Sequence, residues 1–259
     1  MPTFFYSTED LAGRSAADAL RMARPNQSLK LNGFPAWRFE GFNLVEISSW
    51  TVQFHDADLF EKDLVVFLSR HAAASGRPCF TCHVTGNFGP ANLDMGGRDG
   101  TLSRASAHWL KRFYLALQER TGNASLEATH HGPALETPSL FVEIGSEENQ
   151  WKKPENGVAL AESVLAALSR NDEGKAALCF GGAHYCSAFT PLLDDGWALS
   201  HVASKHSVGF LTKGLVKQAV EKTVEPIEKV FLDWKGLPAE KKKEIPAWCE
   251  ELGLEWERI

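Results

Sequence analysis

Strands alternating with helices along almost the whole chain predict an α/β protein on a mixed, mostly parallel sheet. Three observations carry that expectation. Short continuous apolar runs, such as residues 64–68 (LVVFL), have the length and β-branched content of buried strands. Apolar residues at three- and four-residue steps, from Leu102 to Leu117, mark a long amphipathic helix directly after a strand and a glycine-bearing loop. Beyond residue 170 the strand–helix alternation starts again.

In chain order, residues 4–6 read as a strand, and Thr8 is placed to cap a helix that ends before Pro25. Residues 29–31 and 37–47 read as a hairpin broken at Asn32-Gly33. Residues 64–68 give a central strand, and 78–84 a second one that ends in a glycine-bearing loop. Leu102, Ala105, Trp109, Leu110, Phe113 and Leu117 share one helix face, and Gly122 stops that helix. Residues 126–129 and 140–144 are strand-like, with Pro133 and Pro138 between them. Val158, Ala161, Val164, Leu165 and Leu168 mark a second amphipathic helix, and 176–180 a strand ending in Gly181-Gly182. After Leu211 come a helix, a strand at 229–233, a helix and a strand at 254–257. The expectation is one α/β unit over residues 1–259, least constrained in the first sixty.

The hydrophobic fraction of 44% suffices for a core. No stretch approaches the roughly 18–20 apolar residues of a membrane helix. Glu9, Asp10, Arg14 and Asp18 leave no apolar signal-peptide core near the start. A soluble, cytoplasmic protein without a membrane partner is expected. The net charge of −6 disfavours a protein that coats nucleic acid, and DNA is not an expected partner. An enzyme that meets RNA through one local basic patch remains compatible with it. Five cysteines, an odd number, suggest reduced thiols. The pair Cys79 and Cys82 reads as strand packing, because no second pair completes a four-thiolate site.

Most of the nine histidines follow predicted strands: His71, His83, His130 with His131, His184, and His201 near another boundary. Glu143 sits inside a strand. In parallel α/β sheets the carboxyl ends of strands form the ligand edge, so all these groups are expected there. Neutral imidazoles with one carboxylate suit zinc with an open position for water. Histidines that cap strands and bond to backbone produce the same pattern. Successive strand residues face opposite sides, so His130 and His131 reach one ion only if the strand has ended, and His131 is the favoured ligand.

Gly86, Gly89, Gly96, Gly97 and Gly100 cluster before the Leu102 helix. Backbone N–H groups there suit a phosphate or a developing oxyanion, although a ligand-free lid fits equally. No dinucleotide or P-loop fingerprint is complete. Arg104, His108, Lys111 and Arg112, placed on the helix face away from the core, together with Arg98, form a candidate phosphodiester surface. A solvated helix face explains the same stripe.

The segments Thr81-Cys82-His83-Val84-Thr85-Gly86-Asn87, Ala128-Thr129-His130-His131-Gly132-Pro133, residues 138–146 (PSLFVEIGS) and Gly181-Gly182-Ala183-His184-Tyr185 resemble the D-aminoacyl-tRNA deacylases of the archaeal and plant type. Ser69-Arg70-His71 and residues 230–236 (VFLDWKG) match too, so the likeness runs in order from about residue 64 to the C-terminus. The resemblance implies hydrolysis of the ester joining a D-amino acid, including aldehyde-modified forms, to tRNA as translation quality control. It implies zinc, two ions per subunit. It also implies a three-layer α/β/α sandwich of the phosphorylase/hydrolase-like kind, similar to peptidyl-tRNA hydrolase. His83, Thr85, Asn87, His130, His131, Glu143 and His184 fall on the family's motifs.

The resulting expectation puts zinc on His83, His131 and His184, with Glu143 as ligand or general base. The catalytic set is His83, Thr85, Asn87, His130 and Glu143, and the backbone N–H groups from Thr85 to Asn87 meet the oxyanion. Gly86, Gly96, Gly97, Arg98, Arg104, Lys111 and Arg112 meet D-aminoacyl-tRNA, with Lys213 and Lys217 as further acceptor-stem contacts. A monomer is expected. The rival readings are a zinc peptidase or amidohydrolase acting on a small amide, and a tRNA-binding adaptor without catalysis.

Overall fold

A computed structural model describes residues 1–60 and 63–259. Among the described residues eight strands form the larger sheet, β1 (Thr3–Ser7), β2 (Gln27–Leu31), β3 (Phe34–Phe39), β4 (Phe42–Ile47), β5 (Val65–Arg70), β6 (Cys79–Val84), β7 (Ala124–Leu126) and β8 (Ser139–Gly145). Their order is β2-β3-β4-β1-β5-β8-β6-β7. A smaller sheet holds β9 (Lys175–Phe180), β10 (Trp197–Ala203), β11 (Ile227–Leu232) and β12 (Glu255–Arg258) in the order β10-β9-β11-β12. The helices are α1 (Leu11–Ala23), α2 (Ala107–Thr121), α3 (Glu148–Trp151), α4 (Pro154–Ser169), α5 (Lys213–Glu221) and α6 (Lys241–Glu251).

The smaller sheet is parallel throughout. In the larger one, β4/β1, β1/β5, β5/β8 and β6/β7 are parallel. The β2–β3–β4 meander and the β6/β8 pair are antiparallel. A mixed, mostly parallel α/β fold is therefore what the chain adopts, and the reversal at β6 governs the site.

Residues on alternate sides of each strand enter different cores. From β1, Phe4 and Tyr6 join Leu20 of α1, Phe113 of α2 and Val164 of α4. Phe5 points the other way, to Phe67, Phe141, Phe54 and Phe60. Each such side chain contributes roughly 1.5–3 kcal/mol by leaving water. Helices thus cover one face of the larger sheet, whereas short 3₁₀ turns at Thr51–Gln53 and His55–Leu59 cover the other and leave part of it open. In the smaller sheet, Cys179 and Leu199 meet the α2 side, and Leu178 and Val230 meet Val216 of α5 and Ile245 of α6. That gives helix, sheet and helix layers.

Several boundaries differ from the expectation. Asp10, not Thr8, caps α1, because its carboxylate accepts the N–H groups of Ala12 and Gly13. Asn32-Gly33 does turn β2 into β3, but residues 37–47 are two strands separated at Gly41, whose φ is 89°. The Leu102 helix starts only at Ala107, where Ser106 accepts the N–H of Trp109 and Glu225 accepts those of Ala107 and His108. Leu102 and Ala105 precede it in extended bridges to Gly86 and Thr223, so Arg104 is not a helix residue. β10 was not expected, since Ser200 and His201 interrupt its apolar run. All five cysteines are free, and Cys82 lies in the helix-covered core.

Candidate active site and metal centre

The open face of the larger sheet carries a ladder of functional side chains. Ser69 of β5 and Thr81 of β6 flank Glu143 of β8 in register. One rung along, Phe67, Phe141 and His83 stand side by side, and His83 stacks flat on Phe141 at 5.3 Å between centroids. Because β6 and β7 run against β5 and β8, the histidines do not share one carboxyl edge as expected. His71 folds in from the end of β5, and Glu127, His130 and His131 fold in from beyond β7 on the opposite side. The result is a cluster lying over the sheet face.

At the centre is Glu127, buried between imidazoles. One carboxylate oxygen lies 3.0 Å from His184 Nε2 and 3.5 Å from His130 Nε2. The other lies 2.9 Å from His71 Nδ1, yet no hydrogen-bonding hydrogen points at it. Glu143 Oε2 accepts the Thr81 hydroxyl at 3.1 Å and lies 3.7 Å from His71 Nδ1 and 3.8 Å from His83 Nε2. His71 Nε2 meets the Tyr185 hydroxyl at 2.9 Å. His83 turns Nδ1 to the Val84 carbonyl at 3.1 Å, which leaves Nε2 buried without a partner.

The paired histidines both join the cluster. The strand has ended at Leu126, and His131 adopts φ of 42°, the left-handed region that a non-glycine residue occupies at some cost. That turn brings the rings of His130 and His131 to 4.4 Å between centroids, with His83 at 4.1 Å from His130. Their Nδ1 atoms are held by the carbonyls of Ala128 and Gly132 at 2.8 and 2.6 Å, which aims both Nε2 atoms inward.

Electrostatics divides the two carboxyls. Burial pushes Glu127 towards the neutral form, but the close approach of His184 and His71 outweighs it and holds the group well below the usual carboxylate range. Burial and the charge of Glu127 push Glu143 well above that range. Burial, then the neighbouring imidazoles, lower His83 far below its ordinary value, lower His130, and bring His131 down to about 3. The surroundings thus favour the charged form of Glu127, the protonated form of Glu143 and the neutral forms of His83, His130 and His131.

Three donor sets have ligand atoms within 4.8 Å of one another: His83, His130 and His131; Glu127, His130 and His184; His71, Glu127 and Glu143. These buried groups can hold a metal ion. They open on a cavity of about 590 Å³ that His71, Glu127, His130, His131, Glu143 and His184 line. A neighbouring cavity of about 300 Å³ shares His130 and His184 and is also lined by Asn87, Phe88 and Phe210.

Other expected site residues lie elsewhere. Thr85 is fully buried and hydrogen-bonds to Ser103 at 2.6 Å, in a network that reaches the Pro133 carbonyl. The N–H groups of Gly86 and Asn87 already donate to the carbonyls of His131 and Thr101, both at 2.8 Å, so they are not free to receive an oxyanion as expected. A Cβ on Gly86, at φ 137°, would stand 2.7 Å from Leu102 Cα, and one on Gly97 2.1 Å from Asn87 Oδ1. Gly96 is packed as closely against the Val52 carbonyl. These glycines serve close backbone packing. Lys111 is buried with its ammonium on the Glu173 carbonyl, and Arg112 stacks on Trp109 and donates to Asp172. Both sit by the amino end of β9, whereas His184 follows its carboxyl end, so they do not reach the cavity. Arg98 and Arg104 are exposed and do not line it either, Lys213 pairs with Glu251, and Lys217 with Glu221.

Glu127 escaped the sequence reading. Residues 126–129 read as a strand, which made this carboxylate one alternating side chain among others. The available signal was a lone acid in a Leu-Glu-Ala-Thr-His-His run, three residues before a histidine. His71 was noticed in its segment and passed over.

A family model described as D-aminoacyl-tRNA deacylase matches residues 59–257. A D-aminoacyl-tRNA deacylase of Thermococcus onnurineus is 39% identical over 203 residues, covering 76% of this chain and 74% of that one. Its counterpart in Ignicoccus hospitalis is 32% identical over 257 residues, covering 98% and 97%. Among solved structures, a conserved protein of unknown function, AF0625, superposes with a TM-score of 0.91 at 27% identity, covering 100% of this chain and 95% of that one.

Proposed function

The chain belongs to the D-aminoacyl-tRNA deacylase family, and from that premise we propose which of its groups carry the reaction. It hydrolyses the ester that joins a D-amino acid to tRNA, releasing free D-amino acid and tRNA as translation quality control. We place this activity in the cytoplasm, with the translation it serves.

The observation that supports the site is the paired orphan: His83 Nε2 and one oxygen of Glu127 are buried with no hydrogen-bond partner among the described residues. Such atoms are costly to bury unless something meets them. Imidazole and carboxylate donors, with the imidazoles kept neutral, suit zinc. Two of the donor sets, His83/His130/His131 and His71/Glu127/Glu143, have no member in common, which supports a reading of two ions per subunit. Zinc in such a site supplies Lewis acidity and lowers the pKa of water towards ~7.

The side chains divide the remaining work. Glu127 stays ionised, a poor proton acceptor at neutral pH and a good ligand that fixes His71, His130 and His184 around one charge. Glu143, whose burial beside Glu127 favours its protonated form while no ion is bound, is either a ligand or the carboxyl that exchanges a proton with the reacting oxygens as the ester opens. Thr81 orients it. His71, bonded to Tyr185, lies within reach of both carboxyls.

His83→Ala tests this division. Turnover of a D-aminoacyl-tRNA should fall by orders of magnitude, with tRNA binding retained and less zinc bound by elemental analysis. Wild-type turnover in that variant overturns the assignment.

A further inference from the structure

We propose that Arg70 is the receptor for a phosphodiester of the substrate's 3′ end, next to the scissile ester; the proposal rests on the deacylase reading above. The cavity that holds the cluster carries the acids Asp10, Asp94 and Glu127 on its walls, besides Glu143 in its protonated form. Arg70 is the one lysine or arginine among the residues that line it. An RNA end brought to the cluster by a chain of net charge −6 gains from a fixed cation at the wall of this cavity, beside any metal ion the cluster holds.

The guanidinium is held ready for an anion. Its carbon lies 4.4 Å from the centroid of Trp50 and 5.0 Å from that of Trp151, so two indoles fix it by cation–π contact. Trp151 is itself tied down by donating its indole N–H to the His71 carbonyl at 3.1 Å. The Arg70 backbone N–H donates to Asp10 Oδ2 at 3.0 Å. Asp10 also accepts from Ala12 and Gly13 and is thereby occupied by backbone groups and the Ser69 hydroxyl. The guanidinium itself makes no hydrogen bond and no ion pair to the described residues, and the residue is exposed. A guanidinium stacked on its faces keeps its edge N–H donors free, the geometry that grips phosphate through two parallel bonds. His71, the next residue, lies in the cluster, so an anion on Arg70 stands one short step from the reacting ester.

The test compares two substrates on Arg70→Ala and Arg70→Lys: a D-aminoacyl-tRNA and the matching D-aminoacyl ester of adenosine, which has no phosphate. With the tRNA substrate, Arg70→Ala should raise KM roughly 10- to 100-fold with little change in kcat. The slope of log(kcat/KM) against log salt should become shallower by about one contact's share. Arg70→Lys should recover part of the loss, as a point charge without the fork. With the adenosine ester, all three proteins should have equal kcat/KM. Equal losses on both substrates, or no loss on the tRNA, overturn the proposal, and circular dichroism of each variant checks that it folds. Inorganic phosphate that inhibits wild type and Arg70→Ala alike would count against Arg70 as the anion receptor. Wild-type protein that cleaves neither substrate would sink the deacylase reading instead, a result distinct from all of these.

Discussion

Glu127→Gln separates charge from shape at the centre of the cluster. Glutamine keeps the volume, so no cavity opens, but the ionised oxygens facing His184 at 3.0 Å and His71 at 2.9 Å become a neutral amide. A hydrogen bond to a charged group contributes about 1.5–3 kcal/mol, and a neutral one about 1. For the one hydrogen bond, to His184, the loss is therefore about 0.5–2 kcal/mol. With an unfolding entropy near 2 cal/mol/K per residue, 259 residues convert that to a Tm lower by about 1–4 °C. The sign with pH follows from the depressed pKa. A carboxyl held below its unfolded value stabilises the fold above about pH 4.5, and that contribution is lost as pH falls through the folded value. The gap between wild type and variant should accordingly close as the pH drops below 4.5. Activity should fall on the order of 10²-fold or more, as when other pre-organised charge is removed from an active site. Calorimetry across pH and single-turnover deacylation check both. A variant with Tm and rate within error of wild type at neutral pH would refute the role given to Glu127.

Glu143→Gln should behave oppositely in the metal-free protein. A carboxyl whose folded pKa is raised costs stability increasingly as pH rises above about 4.5, so the neutral isostere should flatten that decline and match or exceed wild-type stability at pH 8, while deacylation drops; urea titrations at pH 5 and 8 show which. Burial holds His131 and His201 each at about 3, so each contributes stability present above pH 6.5 and lost as pH falls towards 3, at about 1.4 kcal/mol per pH unit. His201→Phe should remove one such share from the acid limb of the stability curve. Glu225→Ala, which uncaps α2 far from the cluster, should cost about 1–2 kcal/mol and leave kcat unchanged. A kcat loss in the folded variant would show that the helix start and the site are coupled.

The elements were legible where the chain writes them plainly. Continuous apolar runs announced β5, β8 and β9, and Gly122 ended α2 as its left-handed conformation requires. Direction was not legible. Nothing in the run from Cys79 to Val84 distinguishes a strand antiparallel to β8 from a parallel one, because both are buried on two faces. That single reversal turned an expected row of histidines at one edge into a cluster over the sheet. Histidines stood out because they are rare after strands, whereas Glu127 looked like any alternating acid until its burial was known. Arg104, Lys111 and Arg112 seemed to form a basic face because the helix was started five residues early; the true start at Ala107 leaves Arg104 off the helix, and Lys111 and Arg112 bond to the carbonyls of Glu173 and Asp172. Arg70 was passed over because one arginine carries no pattern, and only the two indoles and the acidic cavity give it meaning.

The most direct measurement is deacylation of matched D- and L-aminoacyl-tRNA by the purified protein, before and after metal stripping and after zinc is restored. The account predicts release from the D substrate alone, lost on stripping and recovered with zinc. D-selective release that ignores the chelator would contradict the metal centre, and release from neither substrate would contradict the deacylase activity itself.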